Sequence, residues 1–366
     1  MSKPVLLFVG RTRYRLPLAP GVAVKFDTLR EELDVHVLAS AAHGSTGRAD
    51  GFSLVAPLRP RALDGVAFWL CLPWRVARLF HRLRPDAVMC QTPYEGVAAL
   101  IARRLVRLPV KVVVEVHADW RTSTRLYGAG LRRVLAPVSD RLAARALRRA
   151  DAIRTVSPFT SGLVRDLGLE PAAQFPAYME LRPFTTPRVP LSERPQALFV
   201  GVLEAYKNID GLAAAWALAA PRVPGATLRV VGDGTRAGVA EALVRDHGVR
   251  WDRRLPPAGV ADAMDGAWVL VLPSRSEGMG RVLVEAFCRG RGVVGTRAGS
   301  IPDLVADEVS GLLVEPEDRA ALADALVRVL SDRALAERLG EGATAAAAPW
   351  VQTPEEYARR VKELVA

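Results

Sequence analysis

Along the whole chain, short apolar runs alternate with longer amphipathic stretches, and this rhythm constrains the fold more than any other feature. In the first half the runs are 5–9, 35–39, 87–91, 110–116 and 152–156, separated by helix-like patterns such as 95–107 and 131–150. Runs that are mostly apolar, and not only at alternate positions, suit strands buried on both faces. Parallel sheets bury their strands in this way, beneath crossover helices. The chain is therefore expected to be α/β with parallel sheets. The rhythm stops once. Between 182 and 195 stand Pro183, Pro187, Pro190 and Pro195, each lacking a backbone N–H, so neither a helix nor a central strand is expected there.

It then restarts, with apolar runs at 197–201, 227–232, 268–272, 293–296 and 311–314 and helical stretches at 211–220, 237–247, 281–289 and 319–330. An alanine-rich connector at 343–348 precedes a last helix near 354–366. The expected organisation is two Rossmann-like domains facing across a cleft. These are residues 1–182 and 196–346, joined by a proline-rich linker at 183–195 and followed by a C-terminal helix within 347–366. In open parallel sheets ligands bind beyond the carboxyl ends of the strands, so the strand-to-helix loops are where chemistry is sought.

With 366 residues, 50% of them hydrophobic, the chain can bury two cores, and this excludes disorder and disulfide-stapled scaffolds. Cys71, Cys90 and Cys288 lie far apart without metal-ligand spacing, which suits a reducing, cytoplasmic setting. No secretory signal is expected, because the first apolar run is short and ends at Gly10. The nearest approach to a spanning segment, 66–72, falls far short of the ~20 apolar residues required. The net charge of +11 is uneven: residues 1–190 hold 29 Lys/Arg against 15 Asp/Glu, and the remainder 21 against 24. A negatively charged partner is implied for the first half only.

The segment Leu272-Pro-Ser-Arg-Ser-Glu-Gly-Met-Gly-Arg-Val-Leu-Val-Glu-Ala-Phe carries the most chemistry. A buried strand ends at Pro273, and a loop with Gly278 and Gly280 leads into a helix. Were both Glu277 and Glu285 helical, about 12 Å would separate them along the axis. That is too far for two carboxylates working on one bond, and it suits contacts with separate parts of an elongated ligand. Exposed N–H groups at Gly278, Met279, Gly280 and Arg281 would favour a phosphate between them. On spacing alone, a solvated Glu pair on an amphipathic helix is the competing reading.

The wider pattern resembles family 4 of the glycosyltransferases. The two glutamates, with seven residues between them, follow a strand-Pro-Ser and precede Gly295-Thr-Arg-Ala-Gly-Ser-Ile-Pro-Asp-Leu-Val. In the same order stand Phe199-Val-Gly-Val-Leu-Glu-Ala-Tyr-Lys-Asn, Val230-Val-Gly-Asp-Gly and Gly311-Leu-Leu-Val-Glu-Pro-Glu-Asp, covering about 197–345. The first half is similar more loosely, chiefly through Val114-Glu-Val-His-Ala-Asp-Trp. The resemblance implies a GT-B architecture. It also implies a retaining, metal-independent transferase that takes a nucleotide-diphosphate sugar as co-substrate, without a bound cofactor. The acceptor would be a glycan, a lipid-linked or a small molecule. Within this resemblance Lys207, beside Gly201, neutralises the donor diphosphate, Glu277 contacts the transferred sugar and Glu285 holds the ribose. No Asp-x-Asp motif occurs near a strand end, so no metal is invoked. The chain departs from the family at Val202, where members usually carry a second cation. Either Arg275 or Arg281 substitutes, or leaving-group stabilisation is weaker.

His117, at the carboxyl end of a strand, matches a family histidine near the reacting sugar and is expected to orient donor or acceptor, with no general base required. A loop or core histidine is the alternative. Asp119 and Gly21 are acceptor-side candidates. The run Gly232-Asp-Gly-Thr-Arg-Ala-Gly imitates a dinucleotide fingerprint, but its last spacing is one residue too long, so a tight strand–helix turn is expected there. In the basic half, Phe68, Trp69, Leu72, Trp74, Val76, Leu79 and Phe80 surround Arg75, Arg78, Arg82 and Arg84. A second stretch holds Arg132, Arg133, Arg141, Arg145, Arg148 and Arg149. Such mixtures suit either helices that solvate their arginines or a peripheral contact with an anionic membrane or lipid phosphate at its inner face. No nucleic-acid-reading module is recognised. Two other functions remain open, a nucleotide-sugar epimerase or hydrolase on the same fold and a catalytically silent GT-B binding protein.

Overall fold

The computed structural model describes residues 3–42, 47–57, 61–122, 136–185 and 189–366. The chain divides into two compact units, Met1–Tyr178 with Gln352–Ala366, and Met179–Val351. The first contains β1 (Val5–Tyr14), α1 (Pro20–Glu32), β2 (Asp34–Ala41), β3 (Gly47–Ala49), β4 (Phe52–Val55), α2 (Arg61–Leu83) and β5 (Ala87–Cys90). It continues through α3 (Pro93–Val106), β6 (Lys111–Val116), α4 (Ala136–Leu147), β7 (Ala152–Thr155), α5 (Pro158–Arg165) and β8 (Ala173–Gln174). The strand order is β3-β4-β2-β1-β5-β6-β7-β8, parallel except for the β3–β4 edge pair. From β1 the chain steps to β2 on one side and later to β5, β6 and β7 on the other. Right-handed crossovers then put α1 on one face of the sheet and α2, α3 and α4 on the opposite face. The core divides accordingly. Phe26 and Leu29 of α1 pack beneath one face, and Phe68, Leu72, Val76, Phe80, Ala99 and Ala143 cover the other.

Local chemistry starts these helices where side-chain caps allow. Thr92 accepts from the Tyr94 amide, and Ser157 forms a reciprocal capping box with Thr160. Each is followed by a proline whose missing N–H is no loss in the first turn. Helix α2 runs from Arg61 to Leu83 with Pro73 inside it. Burial of Leu72, Val76 and Phe80 holds it on both sides of the proline, and tertiary packing commonly decides helix extent in this way.

The second unit contains β9 (Gln196–Val200), α6 (Ile209–Ala219), β10 (Thr227–Val231), α7 (Ala237–His247), β11 (Arg250–Asp252) and α8 (Pro257–Asp265). It continues through β12 (Val269–Leu272), α9 (Arg281–Cys288), β13 (Gly292–Thr296), α10 (Ile301–Leu304), β14 (Gly311–Val314), α11 (Arg319–Ser331) and α12 (Arg333–Ala347). Its sheet is parallel throughout, in the order β11-β10-β9-β12-β13-β14. The winding direction reverses between β9 and β12, which makes their carboxyl ends the switch point of a doubly wound sheet.

The chain crosses from the first unit to the second before the prolines, not within them. Met179, Leu181 and Phe184 are already buried with α8 and α9, and the stretch expected to be a linker packs on the second unit through Leu191. Residues 186–188 lie outside the described residues. The expected alanine connector is the end of α12, continuous with the helix before it. The last helix, α13 (Pro354–Val365), belongs to the first unit. A capping box of Thr353 and Glu356 starts it, and Tyr357, Val361 and Val365 bury against the α1 side of the first sheet. Among the described residues no helix is long and apolar enough to cross a membrane.

Candidate active site

At the switch point of the second sheet β9 delivers Gly201 and a single helical turn, Ala205–Lys207, while β12 delivers the loop 273–280. The loop and the turn meet side by side. The Lys207 ammonium pairs with the Glu277 carboxylate, and both side chains are about 10% exposed. Ser274, fully buried, donates its hydroxyl to the same carboxylate at 3.2 Å. The backbone around Glu277 is equally fixed: its carbonyl accepts from the Ser300 amide at 3.0 Å, and Thr296 donates to the Ser274 carbonyl at 2.6 Å. Gly299 (φ +57°) has no room for a Cβ, which would stand 2.1 Å from the Glu277 carbonyl oxygen. Gly232 explains the glycine run that imitates a nucleotide fingerprint. At φ +143° its own Cβ would fall 1.8 Å from the Gly201 carbonyl, so this glycine lets two strand ends touch.

Gly278 and Met279 continue the loop, and Gly280 caps α9 in the left-handed region (φ +63°). Arg281 opens the helix and donates from Nε to Glu285 one turn on, at 2.7 Å. Glu277 is thus a loop residue and Glu285 a helical one, 7% exposed. Burial raises the Glu285 carboxyl above its ordinary range, and Arg281 opposes that. The two arginines considered as stand-ins for the cation missing at Val202 are both engaged. Arg281 holds Glu285, and Arg275 makes a two-point contact with Glu317 (2.5 and 3.1 Å) and donates to the Ala205 carbonyl. Val202 itself is 48% exposed. Glu317, Ser274 and Thr296 were not singled out in the sequence. Their only signal was proximity to strand ends.

In the first unit β6 carries Glu115 and ends at His117, whose Nε2 lies 3.4 Å from Glu115 Oε2. Glu115 also pairs with Arg154 of β7, which is fully buried, donates to the Phe175 and Pro176 carbonyls (3.0 and 2.8 Å) and lies 4.0 Å from the Phe175 ring centre. Burial would raise the Glu115 carboxyl, but Arg154, His117 and Lys25 outweigh it and hold it at about 2. The sequence signal for this pair was a charge, Glu115 or Arg154, within each of two mostly apolar central strands. Asp119 accepts from the Arg121 amide (2.9 Å) and the Thr122 hydroxyl (2.5 Å), as the residue ahead of a helical turn does. Gly21, expected in a loop, lies in the first turn of α1 behind Pro20. Glu95, absent from the sequence reading, is 1% exposed in the first turn of α3, where burial lifts its carboxyl to about 7 against the hydrogen bond from Thr92. Among the described residues no group of three or more His, Cys, Asp or Glu is placed to hold a metal.

Two family models cover most of the chain: the glycosyl transferase 4-like domain matches residues 23–177, and the glycosyl transferases group 1 model matches 194–332. Among curated proteins, the chain is 38% identical over 126 residues to D-inositol 3-phosphate glycosyltransferase of Segniliparus rotundus, covering 32% of this chain and 28% of that protein. Against the same enzyme of Corynebacterium diphtheriae it is 33% identical over 170 residues, covering 44% and 40%. These matches span well under half the length of the relatives. Among solved structures, sucrose-phosphate synthase from Thermosynechococcus elongatus superposes with a TM-score of 0.79 at 18% identity, over 99% of this chain and 98% of that one. Anabaena HepE in complex with UDP and glucose gives 0.72 at 17% identity, over 98% and 99%. At such identities the likeness shows the fold, a GT-B pair of parallel α/β domains.

Proposed function

We propose that the chain, whose two halves match the glycosyl transferase 4-like and the group 1 models, is a glycosyltransferase that moves a sugar, with retention of anomeric configuration and without a metal, from a nucleotide-diphosphate sugar held by the second unit. The observation that carries this reading is the pairing of Lys207 with Glu277 across 70 residues of sequence, at the switch point of the second sheet. Breaking a sugar–phosphate bond gathers negative charge on the leaving diphosphate. A cation held by a neighbouring carboxylate, next to the amides that open α9, stabilises that charge more in the transition state than before it. Glu277 passes between Lys207 and the sugar hydroxyls. Glu285 accepts from vicinal ribose hydroxyls, with Arg281 opposing the rise that burial imposes on its carboxyl. In the first unit Glu115 orients His117 toward the donor or acceptor, and Asp119 serves the acceptor side mainly by capping its helix. In a one-face displacement the leaving phosphate takes the acceptor proton, so no general base is needed.

The basic first half favours an anionic acceptor. D-inositol 3-phosphate, named on the relatives above, is the first to test, with UDP-glucose first among UDP, GDP and ADP sugars. The full chain is expected to release nucleotide diphosphate only when donor and acceptor are both present, to keep that rate in EDTA, and to give product of unchanged anomeric configuration by NMR. Inversion or EDTA sensitivity would refute the finer reading. Both candidate arginines already have carboxylate partners, which gives some weight to a second reading, a silent protein that binds nucleotide diphosphate without turnover. Calorimetric binding with no release under any donor and acceptor would support it.

A further inference from the structure

Helices α2, α3 and α4 pack in one layer on the same face of the first sheet. Their outward surface is unlike the rest of the molecule. Among the described residues twelve large hydrophobic side chains are exposed, and six of them lie on these three helices: Leu70 and Trp74, Ile101 and Leu105, Val138 and Leu142. Trp74 is 68% exposed and Leu70 70%. Among them stand seven exposed arginines, Arg78 and Arg82, Arg104, then Arg141, Arg145, Arg148 and Arg149, with Asp140 half-buried on α4 and engaged elsewhere. Arg103 holds Asp151, but among the described residues these seven arginines have no carboxylate partner. Between α3 and α4 a groove of ≈ 390 Å³ is lined by Leu100, Ile101, Leu142, Arg104, Arg145 and Arg149. Its arginines repel one another: Arg145 first, with burial and Arg104, lowers the pKa of Arg149.

Solvation alone accounts for arginines on a helix surface. It does not account for six apolar side chains among arginines whose charge no carboxylate offsets. An occupant must supply negative charge and an apolar phase together, and a bilayer boundary does both. We propose that the outer face of α2, α3 and α4 docks on an anionic phospholipid surface, with Trp74, Leu70 and Leu142 entering the headgroup–acyl boundary and the arginines of the α3–α4 groove engaging lipid phosphates. The face consists of first-unit helices and shares no residue with the transfer site, so it stands or falls independently of the proposed reaction.

The test is co-sedimentation of the full chain with phosphatidylcholine vesicles, with and without phosphatidylglycerol, at low and at physiological salt. Binding is expected only with the anionic lipid and is expected to weaken with salt. The triple variant Arg104→Gln, Arg145→Gln, Arg149→Gln should lose about a hundredfold in partition, and Leu70→Ala with Trp74→Ala about tenfold. All these positions are exposed or line the groove, so thermal unfolding should be unchanged, and Lys207→Ala should bind vesicles as the parent does. Equal binding to neutral vesicles, no binding to either, or variants that bind undiminished would overturn the proposal. So would binding to a soluble polyphosphate as tight as to vesicles and indifferent to the apolar pair.

Discussion

Removing one partner of the Lys207–Glu277 pair and then both should separate what the pair does for the fold from what it does for chemistry. Both side chains are about nine-tenths buried, and among the described residues the carboxylate's only other side-chain partner is the Ser274 hydroxyl. Lys207→Met therefore strands a buried charge, which generally costs 3–5 kcal/mol. Because Ser274 stays, the lower end applies, about 3 kcal/mol, or more than a hundredfold in the folded-to-unfolded ratio. Lys207→Met with Glu277→Gln leaves a neutral amide that Ser274 still satisfies, so most of that loss, about 2 kcal/mol, should return. Two units need not unfold together, so the assay is hydrogen exchange in peptides spanning 196–216 and 269–288, with first-unit peptides as an internal control. Sugar transfer should be lost in both variants. A double variant as exchange-labile as Lys207→Met would refute the buried-pair reasoning. A double variant that still transfers sugar would refute the assignment of the pair to catalysis.

Val202→Arg should raise kcat/KM by about tenfold or more, since single donors to a developing anion are commonly worth 10²–10³. The position is half exposed, so the thermal midpoint should hold, and an unchanged rate would mean that the diphosphate lies elsewhere. Glu115 is depressed to about 2 from 4.5, so its contribution is full above pH ~4.5 and lost as pH falls toward 2, about 3 kcal/mol in all. Acid unfolding followed by exchange in β6 and β7 should show that slope, and Arg154→Leu should abolish it. Glu95 is raised to about 7, so its folded form is neutral and stability falls as pH rises from ~4.5 through 7. Glu95→Gln should leave urea unfolding at pH 5 nearly unchanged and stabilise the first unit by about 2–3 kcal/mol at pH 8. A pH-independent effect would show that the carboxyl is not buried neutral.

By itself the sequence determined the elements and the address of the chemistry. Ten apolar runs mark ten of the strands, because strands of a parallel sheet covered on both faces are mostly apolar, with exceptions such as Glu115 and Arg154. The Thr-Pro and Ser-Pro steps at Thr92, Ser157 and Thr353 mark helix starts, since capping is satisfied within four residues of chain. The loop 273–280 was legible because its glycines, proline and glutamates act through local backbone geometry. The edge strands β3, β8 and β11 were not legible, being too short to carry a pattern. Only the tertiary structure decided that α13 completes the first unit, that Glu115 has Arg154 for a partner, and that Arg275 and Arg281 are committed to Glu317 and Glu285. A charge's partner depends on which strand ends and helix faces the fold brings within a few ångströms, across tens of residues or hundreds. Periodicity and spacing report only on neighbours a few residues away.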